Sequence, residues 1–140
     1  MLTEIVLAMG CFWGVQVTFD NTAGVISTEV GYTGGILENP SYEDVCTDTT
    51  GHAEAVKIIY DDKKISTEEI LDIFFQSHDS TTKNRQGFDV GSQYRSTIFY
   101  TTAEQQKKAR EKINEYSVFF KKPIVTEVIK LEKFYPAEQY

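Results

Sequence analysis

At 140 residues the chain holds about one domain's worth of sequence, since single domains cluster near roughly 100–150 residues. Hydrophobic residues make up 41% and charged residues 25%, which excludes a disordered tail, and the net charge of −7 argues against nucleic acid or an anionic membrane as partner, because both are held through Lys and Arg. Two cysteines, Cys11 and Cys46, are too few for a secreted disulfide framework, so a reducing cytoplasm is the default.

The N-terminal residues lack the basic region of a secretory signal, and no stretch approaches the ~18 apolar residues of a membrane span. Residues 3 to 8 are apolar and β-branched and read as a strand closed by Met9-Gly10; residues 11 to 22 space Trp13, Val17 and Phe19 for a short helix, which places Cys11 at the junction. Residues 25 to 32 alternate as a second strand before Thr33-Gly34-Gly35 breaks it. The polar connection over 36 to 52 is turn-rich, so Tyr42 and Cys46 fall on a loop or a single helical turn, and residues 53 to 60 form a third strand.

Ser66-Thr67-Glu68-Glu69 is a capping box, with Ile70, Leu71, Phe74 and Phe75 at helical spacing behind it, which predicts a helix from 66 to about 78. Residues 79 to 94 have no periodicity and are long for a structureless connection, which marks a candidate site. A strand over 95 to 101, a second capping box at Thr102-Ala103-Glu104-Gln105 opening a helix to about Phe120, and a strand over 124 to 131 complete the chain. The order predicts an α+β two-layer sandwich: a ferredoxin-like mixed sheet with helices on one side and long functional loops, all in one domain over residues 1–140.

Cys11 follows a strand and a glycine and precedes a helix, where free N–H groups and the positive end of the dipole favour a thiolate; the bland alternative is an inert, buried cysteine. Phe12 and Trp13, flanked by Gly10 and Gly14, would form an exposed apolar wall beside that thiol, or else ordinary core. By strict alternation Glu54 shares a face with Val56, Ile58 and Tyr60; a carboxyl aimed at an apolar layer has its pKa raised and suits proton donation near neutrality, whereas an edge carboxylate would pair with a lysine. Tyr42, Asp89 and Tyr94 lie on the long connections and could hydrogen-bond a polar ligand. His52 and His78, with Asp79 or Asp89, leave open a Cys-His hydrolase, and a non-catalytic peptide-binding module is a third class. The Cys and His positions lack zinc-module spacing, so no metal is expected.

Taken together, Gly10-Cys11-Phe12-Trp13-Gly14, Gly31-Tyr32-Thr33-Gly34-Gly35, Asn39-Pro40-Ser41-Tyr42, Gly51-His52-Ala53-Glu54-Ala55-Val56 and Gln93-Tyr94-Arg95-Ser96 resemble the A-type peptide methionine sulfoxide reductases, in order and spacing, from about Ile5 to Tyr140. The resemblance implies reduction of methionine S-sulfoxide, free or in proteins, back to methionine, as repair of oxidative damage. It makes Cys11 the nucleophile and Glu54 the acid that protonates the sulfoxide oxygen. Tyr42 and Tyr94 become hydrogen-bond partners of that oxygen, Asp89 the acid of the same site loop, and Phe12 and Trp13 the wall for the S-methyl group.

Attack would leave a sulfenic acid on Cys11, reduced by an external thiol such as thioredoxin, glutaredoxin or dithiothreitol, with no bound cofactor. Relatives often carry resolving cysteines in a C-terminal tail that is not present here, which leaves open a missing tail or direct recycling by an external thiol; Cys46 is expected to be a buried structural thiol. Gln16, Ser80 and Phe88 depart from the Glu, Pro and Asn usual in the family, and Phe88 stands nearest the site.

Overall fold

The computed structural model describes residues 1–137. Six strands form the main sheet: β1 (Leu2–Met9), β2 (Val25–Thr33), β3 (Ala53–Asp61), β6 (Ser96–Tyr100), β7 (Glu127–Lys130) and β8 (Phe134–Pro136). Their spatial order is β7-β6-β1-β3-β2-β8, and every neighbouring pair is antiparallel except β6 with β7, so the sheet is mixed. Helices α1 (Phe12–Asp20), α3 (Thr67–Ser77) and α4 (Ala103–Ser117) separate the strands, as the periodicity predicts. The architecture is α+β.

One core holds Ile5 and Leu7 of β1, Val56, Ile58 and Tyr60 of β3, and the buried residues of the helices, among them Phe19, Ile70, Leu71, Phe74 and Ala109. The helices therefore cover one face of the sheet. Alternate residues Val6, Ala8, Ala53, Ala55 and Phe99 form a smaller core on the other face, covered by Leu131 and Phe134. Burial of this kind stabilises by roughly 25 cal/mol per Å² of apolar surface and is the main force holding the helices down.

Ser66 and Glu69 complete the expected capping box: the Ser66 hydroxyl accepts from the Glu69 amide and the Glu69 carboxylate accepts from the Ser66 amide. The second box forms by half. Thr102 accepts from the Gln105 amide, but the Gln105 side chain turns inward, donating to the Glu4 carbonyl (2.8 Å) and accepting from the Thr101 amide (2.7 Å). Its amide group satisfies buried backbone polar groups that a returning cap would leave orphaned.

Tyr42–Cys46 is a short helix, α2, opened by a capping box of Ser41 and Asp44, in keeping with the single helical turn expected there. Two stretches depart from the sequence expectation. The connection over 79 to 94 contains a small hairpin, β4 (Arg85–Gln86) with β5 (Asp89–Val90), and a single 3₁₀ turn at Ser92–Tyr94. The last predicted strand is shorter at its start, because the Val125 amide donates to the Ser80 carbonyl and the Thr126 hydroxyl meets that of Ser96. Beyond it β8 adds an edge against β2, packed so closely that a Cβ at Gly31 would lie 2.4 Å from the Tyr135 carbonyl oxygen.

Candidate active site

Cys11 is the N-cap of α1, its carbonyl accepting from the Val15 amide, and it is exposed. Gly10 before it takes φ +106, a conformation that L side chains rarely adopt, and lies against the Gln86 side chain of the β4–β5 hairpin. The strand end, the turn and the hairpin together present the thiol to solvent at the positive end of the helix.

Glu54 is on β3 opposite Tyr32 of β2 and is only 1% exposed. Alternation puts it on the helix-bearing face with Val56, Ile58 and Tyr60, as the sequence implies. One carboxyl oxygen accepts from the Phe12 amide at 3.3 Å, in the first turn of α1. The other, Oε2, is buried with no hydrogen-bond partner among the described residues. Burial pushes the carboxyl pKa up to about 7, the Phe12 N–H pulls it back in part, and the charge of Asp89 adds to the rise. A group balanced this way can hold a proton near neutral pH.

Around this carboxyl the long connections converge. Tyr94, half-buried at the 3₁₀ turn, is raised above the usual phenol range by burial and by the Glu54 charge. Tyr42 on α2 is raised further, first by its hydrogen bond to Cys46 and then by burial, and its hydroxyl also meets that of Tyr94. Both phenols therefore stay protonated near neutral pH. Asp89 is exposed on β5, close enough for its charge to act on Glu54 and Tyr94.

The aromatic pair divides. Trp13 is exposed, as expected, but Phe12 is buried: its ring meets Trp13 edge-on at a centroid distance of 5.1 Å and Tyr32 at 5.6 Å, so it supports the open ring from below. Cys46 is a second correction, since it is exposed rather than buried. The five-residue α2 buries only Val45, and the next position turns away from the core.

Neither histidine serves as a base. The Gly35 amide donates to His52 Nδ1 (3.0 Å) while Nε2 donates to the Leu37 carbonyl (2.6 Å), fastening the 34–37 turn. His78 donates from Nδ1 to the Phe74 carbonyl (2.6 Å) and accepts at Nε2 from Ser96 (2.7 Å), and burial lowers its pKa to about 4. With both ring nitrogens of each committed to the scaffold, a Cys-His hydrolase has no free imidazole.

Arg95, in the Gln93-Tyr94-Arg95-Ser96 stretch, supports the site without a part in its chemistry being evident from sequence. Its guanidinium donates to the Ser92 carbonyl (2.9 Å), the Gly51 carbonyl (2.9 Å) and Glu127 (3.0 Å), tying the Tyr94 turn to the segment that leads into Glu54. Asp48 helps from α2's end, accepting from the Ser92 amide (3.1 Å) and hydroxyl. A cleft of about 570 Å³ behind the same loop, lined by Lys83, Ser92, Arg95 and Glu127, includes neither Cys11 nor Glu54 and belongs to this support. Such contacts join residues far apart in sequence, so only the spacing of the motif hinted at them.

The peptide methionine sulfoxide reductase family model matches residues 3–140. The chain is 55% identical over 131 residues to peptide methionine sulfoxide reductase A4, chloroplastic, of Arabidopsis thaliana, covering 94% of this chain and 51% of that protein. It is 51% identical over 142 residues to peptide methionine sulfoxide reductase MsrA of Methanosarcina acetivorans, covering 99% of this chain and 75% of that one. The chain thus spans about half the length of the first and three quarters of the second. Among solved structures, methionine sulfoxide reductase A of Corynebacterium diphtheriae superposes with a TM-score of 0.95 at 35% identity, covering 98% of this chain and 70% of that one. Mxr1 of Saccharomyces cerevisiae in complex with Trx2 superposes with a TM-score of 0.72 at 26% identity, over 96% and 79%.

Proposed function

Because the chain belongs to the peptide methionine sulfoxide reductase family, we propose that it reduces methionine S-sulfoxide, free or in polypeptides, to methionine, and so repairs oxidative damage. The observation that carries this reading is Glu54. It is a buried carboxyl near pKa 7, anchored through one oxygen to the amide that follows Cys11, with its other oxygen unpartnered.

In this reading Cys11 Sγ attacks the sulfoxide sulfur while Glu54 Oε2 delivers a proton to the sulfoxide oxygen. The Tyr42 and Tyr94 hydroxyls donate to the same oxygen, and Asp89 helps keep Glu54 protonated. The S-methyl group rests on Trp13, backed by Phe12. The adduct collapses to the thioether, methionine, and leaves the oxygen on Cys11 as a sulfenic acid. An external thiol condenses with the sulfenic acid and releases water, and a second thiol reduces the mixed disulfide, restoring Cys11 and Glu54-H.

No bound cofactor or metal enters these steps. The exposure of Cys11 supports direct access for a thiol reductant, and the Mxr1–Trx2 complex supports a thioredoxin-like partner. Need of a free thiol and a thiol donor favours the cytoplasm, and among the described residues no helix is long and apolar enough to cross a membrane. The same reading takes residues 1–140 as one catalytic domain with a ferredoxin-like two-layer arrangement, supported by the central strand order β6-β1-β3-β2 and by helical apolar residues gathered on one face.

The Cys11→Ser protein should lose reduction of the S epimer with dithiothreitol as donor, while the wild type, after one turnover without donor, should gain one oxygen at Cys11 by mass spectrometry. Retained turnover in the variant would remove Cys11 from the nucleophile role.

A further inference from the structure

The rim of the site carries apolar side chains beyond the part of Trp13 that holds the S-methyl group. Phe88 is 104% exposed and Val90 68% exposed on the β4–β5 hairpin; Trp13 is 47% and Val17, one turn along α1, 61% exposed. Single exposed apolar residues are ordinary on protein surfaces. These differ in belonging to the two segments that meet at Gly10, one residue before the thiol, where Gln86 packs.

Phe88 is also held in water by an ordered support. The two-residue turn Gly87-Phe88 joins Gln86 to Asp89, with Gly87 at φ +57. Arg85 donates to the Gly87 carbonyl at 2.8 Å, Gln86 exchanges two bonds with the Asp79 backbone (3.0 and 2.6 Å), and the Gly91 amide donates to the Asn84 carbonyl (2.9 Å). Asp89, the next residue, acts on Glu54 and Tyr94, so the tip stands at the edge of the reacting centre. A rigid turn that leaves an aromatic ring unburied is preorganised for a ligand that covers it.

We propose that Phe88, with Trp13 and Val17, determines specificity by taking an apolar side chain next to the oxidised methionine in an extended polypeptide. This rests on the reductase reading and adds the substrate class: methionine sulfoxide embedded in apolar sequence.

The test compares three substrates with dithiothreitol as donor: free methionine S-sulfoxide, a peptide with the sulfoxide between two Phe residues, and one with it between two Gly residues. The ratio of kcat/KM for the Phe-flanked to the Gly-flanked peptide should fall about tenfold in Phe88→Asn, the scale of one lost apolar contact. A parallel titration on the Cys11→Ser protein, read by fluorescence of Trp13, the only tryptophan, should give the same change in Kd ratio. A binding preference without turnover in the wild type overturns the reductase reading and keeps Phe88 as a peptide contact. Normal turnover with an unchanged ratio, or a Phe88→Asn defect seen with thioredoxin but not dithiothreitol, overturns the specificity role and assigns the ring no part in substrate choice.

Discussion

A carboxyl buried beside a helix N-terminus feels two opposing effects: loss of water raises its pKa, and an amide donor lowers it. In Glu54 burial wins, which puts the proton where the proposed chemistry uses it. Glu54→Gln should therefore lower kcat by about 10²–10⁴-fold, the usual worth of a positioned acid, with little change in KM. The wild-type kcat/KM should carry a limb that falls as pH rises through about 7, since only protonated Glu54 donates, and the Gln variant should lack that limb. A pH–rate series on both proteins checks this; a limb surviving in the variant belongs to another group. The face of Glu54 was legible from alternation along Ala53-Glu54-Ala55-Val56, because a strand fixes sidedness locally. Its partner was not, because the Phe12 amide comes from another element. The exposure of Cys46 is illegible in sequence for a related reason: burial at the end of a five-residue helix depends on what lies over it, not on residue type.

Elements differ in what their caps protect. Ser66 and Ser41 make the same reciprocal bonds, yet α3 packs four large apolar residues into the core whereas α2 buries only Val45 and carries Tyr42 to the site. Ser66→Ala should cost about 1 kcal/mol of global stability with kinetics intact. Ser41→Ala should leave the global midpoint nearly unchanged but lower kcat/KM, because loss of one cap suffices to loosen a helix of five residues. Chemical denaturation beside steady-state kinetics on both variants separates the two; a kinetic defect from Ser66→Ala would break the distinction. The Ser66 box was readable because a strong amphipathic run follows it. No such run follows the Ser41 box to mark it, and two-residue strands such as β4 and β5 carry no period, their hairpin being held by side-chain bonds of Arg85 to Gly87 and of Gln86 to Asp79.

Across the whole molecule two buried groups pull stability in opposite directions with pH. The folded state keeps a proton on Glu54 between about 4.5 and 7 that the unfolded chain has released, so stability falls as pH rises there. His78 is neutral when folded between about 4 and 6.5 while the unfolded chain is protonated, so its contribution rises with pH. Over the shared range the two slopes, each about 1.4 kcal/mol per pH unit, oppose one another. Glu54→Gln removes one of them: its stability should match the wild type near pH 4 and exceed it by up to about 3 kcal/mol above pH 7. Urea melts at several pH values would show diverging curves, and parallel curves would place the Glu54 carboxyl in a wetter setting. The close seating of β8 on Gly31 bears on the same whole. It makes the margin of the sheet a three-residue strand that ends in proline, and β2, the strand beneath it, holds Tyr32 opposite Glu54. With β8 peeled away, the bare backbone from Gly31 to Thr33 would be open to pairing with another molecule, so the short strand Phe134–Pro136 blunts an edge that could otherwise recruit a second chain.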